Sequence, residues 1–193
     1  MNMIKLFFIS IFSLFLTTGV FAQSKNFEGF GLALDYSLNI INDVSTPGGS
    51  VTSKSGIPGV TVNFYKAISD KFLIGAYGTL ELGTTDTTGT DPDAHNPYEA
   101  GLKAGYALNQ SLMAYAKVGR AWSKYSSPGY YQWMDGMSYG LGLDYFFTKN
   151  IFTRVELSQQ NYESVLWNDG SRDKVRINAY THHSIEQIGR AHV

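Results

Sequence analysis

The chain has 193 residues, of which 16% are charged and 15% aromatic, with no cysteine and a formal net charge of −1. The lack of cysteine excludes disulfides, zinc–thiolate sites and cysteine nucleophiles, and the near-zero charge argues against a general electrostatic binder of nucleic acid. A typical soluble domain is about 25% charged. Low charge with 20 Gly, 13 Tyr and 12 Phe suits strands that face lipid on one side and a narrow lumen on the other.

The first residues have the pattern of a secretory signal. Lys5 precedes an apolar run over residues 6–16, and Ala22 offers a small-residue cleavage site before Gln23. The run is shorter than the roughly 20 apolar residues of a spanning helix, although a membrane anchor is the alternative. We therefore predict a cleaved signal peptide over residues 1–22 and a single β-barrel domain over residues 23–193.

Beyond the signal, apolar residues recur at every second position. In the first segment Leu32, Leu34 and Tyr36 alternate with Ala33 and Asp35, and this period of 2 predicts a strand. The segment is longer than the usual five or six residues of a soluble strand, and it fits the roughly 9–11 residues that cross a bilayer. The predicted strands cover 27–40, 59–68, 72–83, 98–108, 112–125, 137–147, 151–162 and a last strand from about 174.

The predicted connections alternate between long and short. The short ones are 69–71, 109–110 and 148–150, and the long ones are 42–55, 84–96, 126–135 and 163–173. Tight turns at one end and long loops at the other are typical of an all-β, eight-stranded antiparallel up-and-down transmembrane β-barrel with both termini in the periplasm. In the fifth strand, placing Lys117 inside turns Arg120 towards lipid, which is tolerable only near the interface.

Two side-chain sets follow from the predicted faces. Aromatic residues near strand ends suggest interface girdles: Tyr36, Phe72, Tyr106, Trp122, Tyr145, Phe147 and Tyr162. The inward faces carry charges of both signs: Asp35, Glu81, Glu99, Lys103, Lys117, Asp144, Arg154, Glu156 and Arg176.

An eight-stranded barrel is only wide enough for side chains to fill. Opposite charges in that space should pair, because an unpaired buried charge is expensive. We interpret the set as an interior charge network that fills the lumen. A conducting pathway is the alternative, and it would need a wider barrel or a gated plug.

Four pieces of the chain carry a family resemblance: residues 98–106, 115–119, 140–145 and 154–157, the last with the pattern Arg-x-Glu. They resemble the small outer-membrane barrels of the OmpA/OmpX-like porin-family type. The resemblance implies an integral protein of the Gram-negative cell outer membrane with four surface loops and a role in envelope integrity, adhesion or host contact. It brings no catalytic residue and no cofactor.

The resemblance also implies the surroundings of the protein. The expected partners are outer-membrane lipid and lipopolysaccharide, the barrel-assembly machinery and a host or surface ligand reached through the loops, with no nucleic acid. We expect a monomer.

The last six residues depart from that family, whose final strand usually ends in an aromatic-x-aromatic pattern. Residues 188–193 read Ile-Gly-Arg-Ala-His-Val, which is the translation of the sequencing-adapter string ATCGGAAGAGCACACGTC. Our hypothesis is that this tail is an artefact and that the natural gene continues beyond about residue 187 or 189.

Enzyme and metal chemistry have few candidates. His182 and Ser184 share one strand face, and Glu156 on a neighbouring strand offers an acid for a triad-like arrangement. Lipid A deacylases look similar here, but their His-x-Ser is normally followed by Asn, where this chain has Ile185. A histidine metal site and a cation site in the second long loop are further alternatives, although that loop lacks the Gly and the Glu of an EF-hand. We expect neither an enzyme nor a bound metal.

The third long loop is rich in apolar and aromatic side chains. Tyr130, Tyr131, Trp133 and Met134 form a candidate contact surface for a partner, while packing against the other loops is the alternative. The sequence thus predicts a structural or interactive barrel first, a small-solute or ion pore second, and an enzyme acting on outer-leaflet lipid third.

Overall fold

A computed structural model describes residues 24–45, 49–85, 93–127, 130–148, 150–162, 165–166 and 172–187. Among these, the side chains of 41–53, 85–95, 125–132, 165–166 and 172–187 lie outside the description. The described part holds a 3-10 helix, Ser24–Phe27, and eight long strands: β1 Gly29–Ser45, β2 Gly49–Ala67, β3 Phe72–Glu81, β4 Asp93–Ala107, β5 Leu112–Ser127, β6 Tyr130–Phe146, β7 Ile151–Tyr162 and β8 Arg172–Gln187. Two-residue strands, Thr84–Thr85 and Val165–Leu166, extend the ladders of β4 and β8.

The sheet closes on itself. Each long strand pairs antiparallel with the next one along the chain. The last strand then pairs with the first, from Val44 opposite Lys174 to Leu32 opposite Gln187. Closure leaves no long strand with a free edge. The predicted eight-stranded antiparallel up-and-down barrel is confirmed.

The short connections are where the sequence placed them, and a polar side chain holds each of the three. In the first, Ser69 Oγ accepts a hydrogen bond from the backbone N of Phe72 at 3.1 Å. Asn109 Oδ1 accepts hydrogen bonds from the backbone N of Ser111 at 2.8 Å and of Leu112 at 2.9 Å. Thr148 Oγ1 accepts in the same way from Asn150 and Ile151 at 3.2 and 3.1 Å. Short polar side chains that bond the backbone two and three residues on favour tight turns.

The long connections differ from the prediction, because the strands continue into them. Residues 42–45 and 49–55, predicted as loop, belong to β1 and β2, and 126–127 and 130–135 belong to β5 and β6. The hydrophobic alternation stops within these strands, but ladder hydrogen bonds need no apolar face, so pairing continues beyond it. The strands of these two hairpins are 16–19 residues long, well beyond the roughly 9–11 that cross a bilayer.

The two faces of the wall have opposite character. Leu32 and Leu34 are 51% and 64% exposed, while Ala33 between them is fully buried. As predicted, Lys117 points inward and Arg120 outward, and Arg120 forms an exposed ion pair with Asp135. In the described part of the chain, no helix is both long enough and apolar enough to cross a membrane.

One aromatic residue was assigned to the wrong face. Tyr162 is only 4% exposed and lies inside the barrel, so it does not belong to an interface girdle. Its hydroxyl donates to Gln160 Oε1 at 3.0 Å. Tyr162 keeps the phase of Arg154 and Glu156, which also face inward.

The 3-10 helix closes the barrel at its short-turn end. Ser24 donates its backbone N–H to the Asp70 carbonyl at 2.9 Å, and Phe27 packs edge-on against Phe146 with ring centroids 4.8 Å apart. Gly29, with φ of 128°, lets the chain turn from this helix into β1, a conformation that side chains disfavour. The helix caps an apolar cluster: Phe27, Tyr65, Leu73, Ala107, Met113, Tyr115, Phe146 and Phe152.

Candidate functional site

The candidate site is a layer of charged side chains above the apolar cluster in the lumen. Lys103 on β4 and Lys117 on β5 face each other directly in the ladder, and both are less than 10% exposed. Like charges directly opposite destabilise a sheet. The layer is therefore stable only because carboxylates lie beside both lysines.

Lys117 is the centre of this layer. Its Nζ lies 2.7 Å from Glu99 Oε1 and 2.7 Å from Glu156 Oε1. Lys103 Nζ lies 3.7 Å from the other oxygen of Glu156, which also accepts a hydrogen bond from the Tyr115 hydroxyl. One ammonium thus links carboxylates of β4 and β7 across the lumen.

A second ion pair lies closer to the apolar cluster. Arg154 binds Asp144 through two hydrogen bonds, Nε to Oδ1 at 2.7 Å and Nη2 to Oδ2 at 2.9 Å, and Nη2 also reaches Asn63 Oδ1 at 3.0 Å. The guanidinium carbon lies 5.2 and 5.3 Å from the ring centroids of Tyr115 and Phe152. The planar, two-pronged geometry of arginine suits such a fully buried pair.

Towards the long-connection end the layer becomes acidic and is held by neutral donors. Glu99 Oε2 accepts from Gln160 Nε2 at 3.0 Å, and Glu81 Oε2 accepts from Asn39 Nδ2 at 3.0 Å. Asp35 accepts from the Thr61 hydroxyl. Amide and hydroxyl groups of the protein thus donate the hydrogen bonds that these carboxylates would otherwise receive from water.

The structure brings eight of the nine predicted interior charges into one buried set. Five are acidic, namely Asp35, Glu81, Glu99, Asp144 and Glu156, and three are basic, namely Lys103, Lys117 and Arg154. Arg176, the ninth, lies in β8, among residues whose side chains are outside the description. The cavity between these groups measures about 20 Å³, which is room for roughly one water molecule.

Inward glycines make space for the aromatic rings of this layer. Gly142 faces Tyr115 in the ladder, and a Cβ at Gly142 would lie 2.3 Å from Tyr115 Cζ. A Cβ at Gly119 would lie 2.7 Å from the Tyr77 hydroxyl. The glycines within the strands thus serve close packing in a narrow lumen.

The predicted contact surface of the third loop is changed by the structure. Its four residues lie in strand β6, and Met134 is only 3% exposed, so it belongs to the lumen. Trp133 is 64% exposed and packs edge-on against Tyr98 at 6.3 Å, and Tyr98 stacks on Trp122 at 5.2 Å. The side chains of Tyr130 and Tyr131 lie outside the description.

Other candidates lie partly outside the described residues. Nothing is described of the side chains of His182 and Ser184, nor of the tail 188–193. In the ladder Glu156 is opposite Thr181, and its carboxylate already contacts Lys117 and Tyr115. Within the described ranges, no three His, Asp or Glu side chains are grouped so that they could hold a metal ion.

With this architecture established, comparison with known proteins identifies the family. The family model for the outer membrane protein beta-barrel domain matches residues 8–182. The chain belongs to this family. It is a protein of the Gram-negative outer membrane, like the barrels with which it shares its fold.

Two solved structures illustrate that likeness. Ail, the attachment invasion locus protein of Yersinia pestis, is 13% identical, with 81% of this chain and 98% of Ail covered and a TM-score of 0.52. Neisserial surface protein A is also 13% identical, with 84% and 100% covered and a TM-score of 0.56. At this identity the likeness is one of fold. No curated protein sequence matches the chain.

The buried pair of Arg154 and Asp144 gives a first prediction. Asp144→Ala leaves a buried guanidinium without its carboxylate, so we expect a loss of about 3–5 kcal/mol in unfolding free energy. Urea unfolding of the barrel in phospholipid vesicles, followed by tryptophan fluorescence, measures it. The matched control is Asp135→Ala, which breaks the exposed pair with Arg120 and should cost at most about 1 kcal/mol. Equal losses of unfolding free energy in the two variants would contradict the conclusion that the Arg154–Asp144 pair is buried and stabilises the barrel.

The packing of Gly142 against Tyr115 gives a second prediction. Gly142→Ala pushes the ring away from Glu156, and overpacking of this kind typically costs about 1–3 kcal/mol. The same urea titration measures it. Gly78→Ala is the control, because the nearest atom to a Cβ there is 3.7 Å away. A Gly142→Ala barrel as stable as the control would show that the ring has room to move.

Proposed function

We propose that this outer-membrane barrel has a side-chain-filled, non-conducting lumen and acts through the hairpins at its long-connection end, in an envelope-integrity or adhesion role. The observation that carries the proposal is the packing of the described charged side chains across the lumen. Lys117 spans it between Glu99 and Glu156 at 2.7 Å on each side, and the cavity beside it has about 20 Å³. A hydrated ion needs a continuous path, and the described side chains at this level leave room for only about one water molecule.

Two further features support a closed barrel. The 3-10 helix and the apolar cluster below the charge layer form a second barrier, since Phe27 and Phe152 are 2% and 1% exposed. The Arg154–Asp144 pair between these levels is fully buried. An ion would have to break two charge clusters and an apolar plug to cross.

The interactive role is supported by the projecting strands. The hairpins β1–β2 and β5–β6 extend well past the length that a bilayer needs. Loops held by a rigid scaffold commonly carry binding functions. The enzyme alternative finds less support, because the acid it would use, Glu156, is held within the lumen by Lys117 and Tyr115.

A planar-bilayer recording tests the closed lumen. We expect the purified barrel, inserted at neutral pH in 1 M KCl, to give no discrete and reproducible conductance steps, while a general porin in the same membrane gives them. The matched comparison is a triple variant that removes the central bridge, with the substitutions Lys117→Ala, Glu99→Ala and Glu156→Ala. Reproducible channels from the wild-type barrel would favour the small-solute or ion pore instead.

A further inference from the structure

The lipid-facing wall carries a groove that crosses the four successive strands β2, β3, β4 and β5. It lies between two rows of side chains, each formed by residues that are paired across these strands. The row nearer the short turns reads Lys66, Ile74, Ala104 and Ala116, and the next row reads Phe64, Ala76, Leu102 and Val118. Alanines form the floor, while the larger side chains stand out from the wall, with Leu102 65% and Ile74 52% exposed. The groove has a volume of about 470 Å³, within the roughly 300–1,000 Å³ of small-molecule sites.

The groove ends at an exposed ion pair near the short-turn rim. Lys66 lines the groove, and its ammonium binds Glu28, with side-chain exposures of 62% and 27%. The hydrogen bond from Lys66 holds the pKa of the Glu28 carboxyl below its usual value, so Glu28 presents a carboxylate at neutral pH. Short turns face the periplasm in this class of barrel, so the pair lies near the headgroups of the periplasmic leaflet.

We propose that the groove seats an acyl chain of phosphatidylethanolamine from the periplasmic leaflet, with its zwitterionic headgroup on the Lys66–Glu28 pair. Phosphate complements the ammonium of Lys66, and the primary ammonium of the lipid donates N–H groups to the carboxylate of Glu28. Long lysine side chains near strand ends extend to the interface in this way. The apolar floor of the groove takes the hydrocarbon.

The same charges argue against a second copy of the chain as occupant. A protein surface pressed into the groove would cover Lys66 and Glu28 and remove them from water, which costs free energy unless new partners replace it. A lipid headgroup keeps the pair at the wet interface and adds charge of both signs.

Native mass spectrometry of the barrel released from nanodiscs of equal phosphatidylethanolamine and phosphatidylcholine tests the proposal. We expect one retained phospholipid, with phosphatidylethanolamine favoured about fivefold, the scale of an exposed charge contact. Phosphatidylcholine has the phosphate but no N–H. Glu28→Gln should therefore bring the ratio close to one, whereas Lys66→Gln should lower the retention of both lipids.

Filling the groove tests its role separately from the headgroup. Ala104→Phe should reduce the retained lipid at least fivefold, while Ala100→Phe, also lipid-facing but outside the groove, should retain it as the wild type does. The heat-dependent gel shift of folded barrels checks that each variant is folded. Unchanged retention in Ala104→Phe, equal retention of the two lipids by the wild type, or dimers in place of bound lipid would each overturn the proposal. None of these outcomes bears on the conductance of the lumen.

Discussion

The contact on which the barrel depends most is the bridge from Lys117 to Glu99 and Glu156. Two lysines face each other in the ladder between β4 and β5. Without a carboxylate beside them, the two ammonium groups would repel each other strongly, because the interior of the barrel screens charge poorly. Glu156 touches both ammonium groups, and Glu99 touches one. The bridge turns an unfavourable pair into a cross-link between strands that are not neighbours in the sheet.

The rest of the lumen follows from that requirement. Inward polar groups need partners within the barrel, because the wall separates them from water. Each charged side chain of the layer has one, although Arg154 Nη1 and Asn63 Nδ2 are buried without a hydrogen bond among the described residues. Arg154 forms a two-pronged bond with Asp144, and amide and hydroxyl groups donate hydrogen bonds to other carboxylates. Glycines lie where the aromatic rings need space. The aromatic rings serve twice, since Tyr115 both donates to Glu156 and lies 5.2 Å from the guanidinium of Arg154.

Much of this architecture was predictable because it depends on local pattern. A period of 2 assigns Leu32 to lipid and Ala33 to the lumen, and a short turn fixes the register of its hairpin. Asp144 and Arg154 are equally distant from the turn at 148–150, so their ladder pairing was within reach of the sequence. The observed ladder between β4 and β5 is centred on Gln110 and places Lys103 opposite Lys117, whereas symmetry about the predicted turn at 109–110 would place Ala116 there.

Contacts across the lumen and the ends of the strands were not predictable. Arg154 meets Asn63, 91 residues earlier in the chain, and only barrel closure with a given stagger brings them together. The 3-10 helix at Ser24–Phe27 is too short for periodicity to reveal. The extended hairpins lack the apolar signal on which strand prediction rests, which is why Met134 was assigned to a loop surface.

The seam between β1 and β8 has a consequence for biogenesis. It joins residues 32–44 to residues 174–187, so nearly the whole chain must be made before it can form. Until then the growing sheet has two unpaired edges, the kind of surface that templates aggregation. The paired positions of the seam are far apart in sequence, from Val44 with Lys174 to Leu32 with Gln187, and closing so long a loop is slow. Pairing of β1 with β8 removes both edges at once, so barrel closure is the step that ends this exposure.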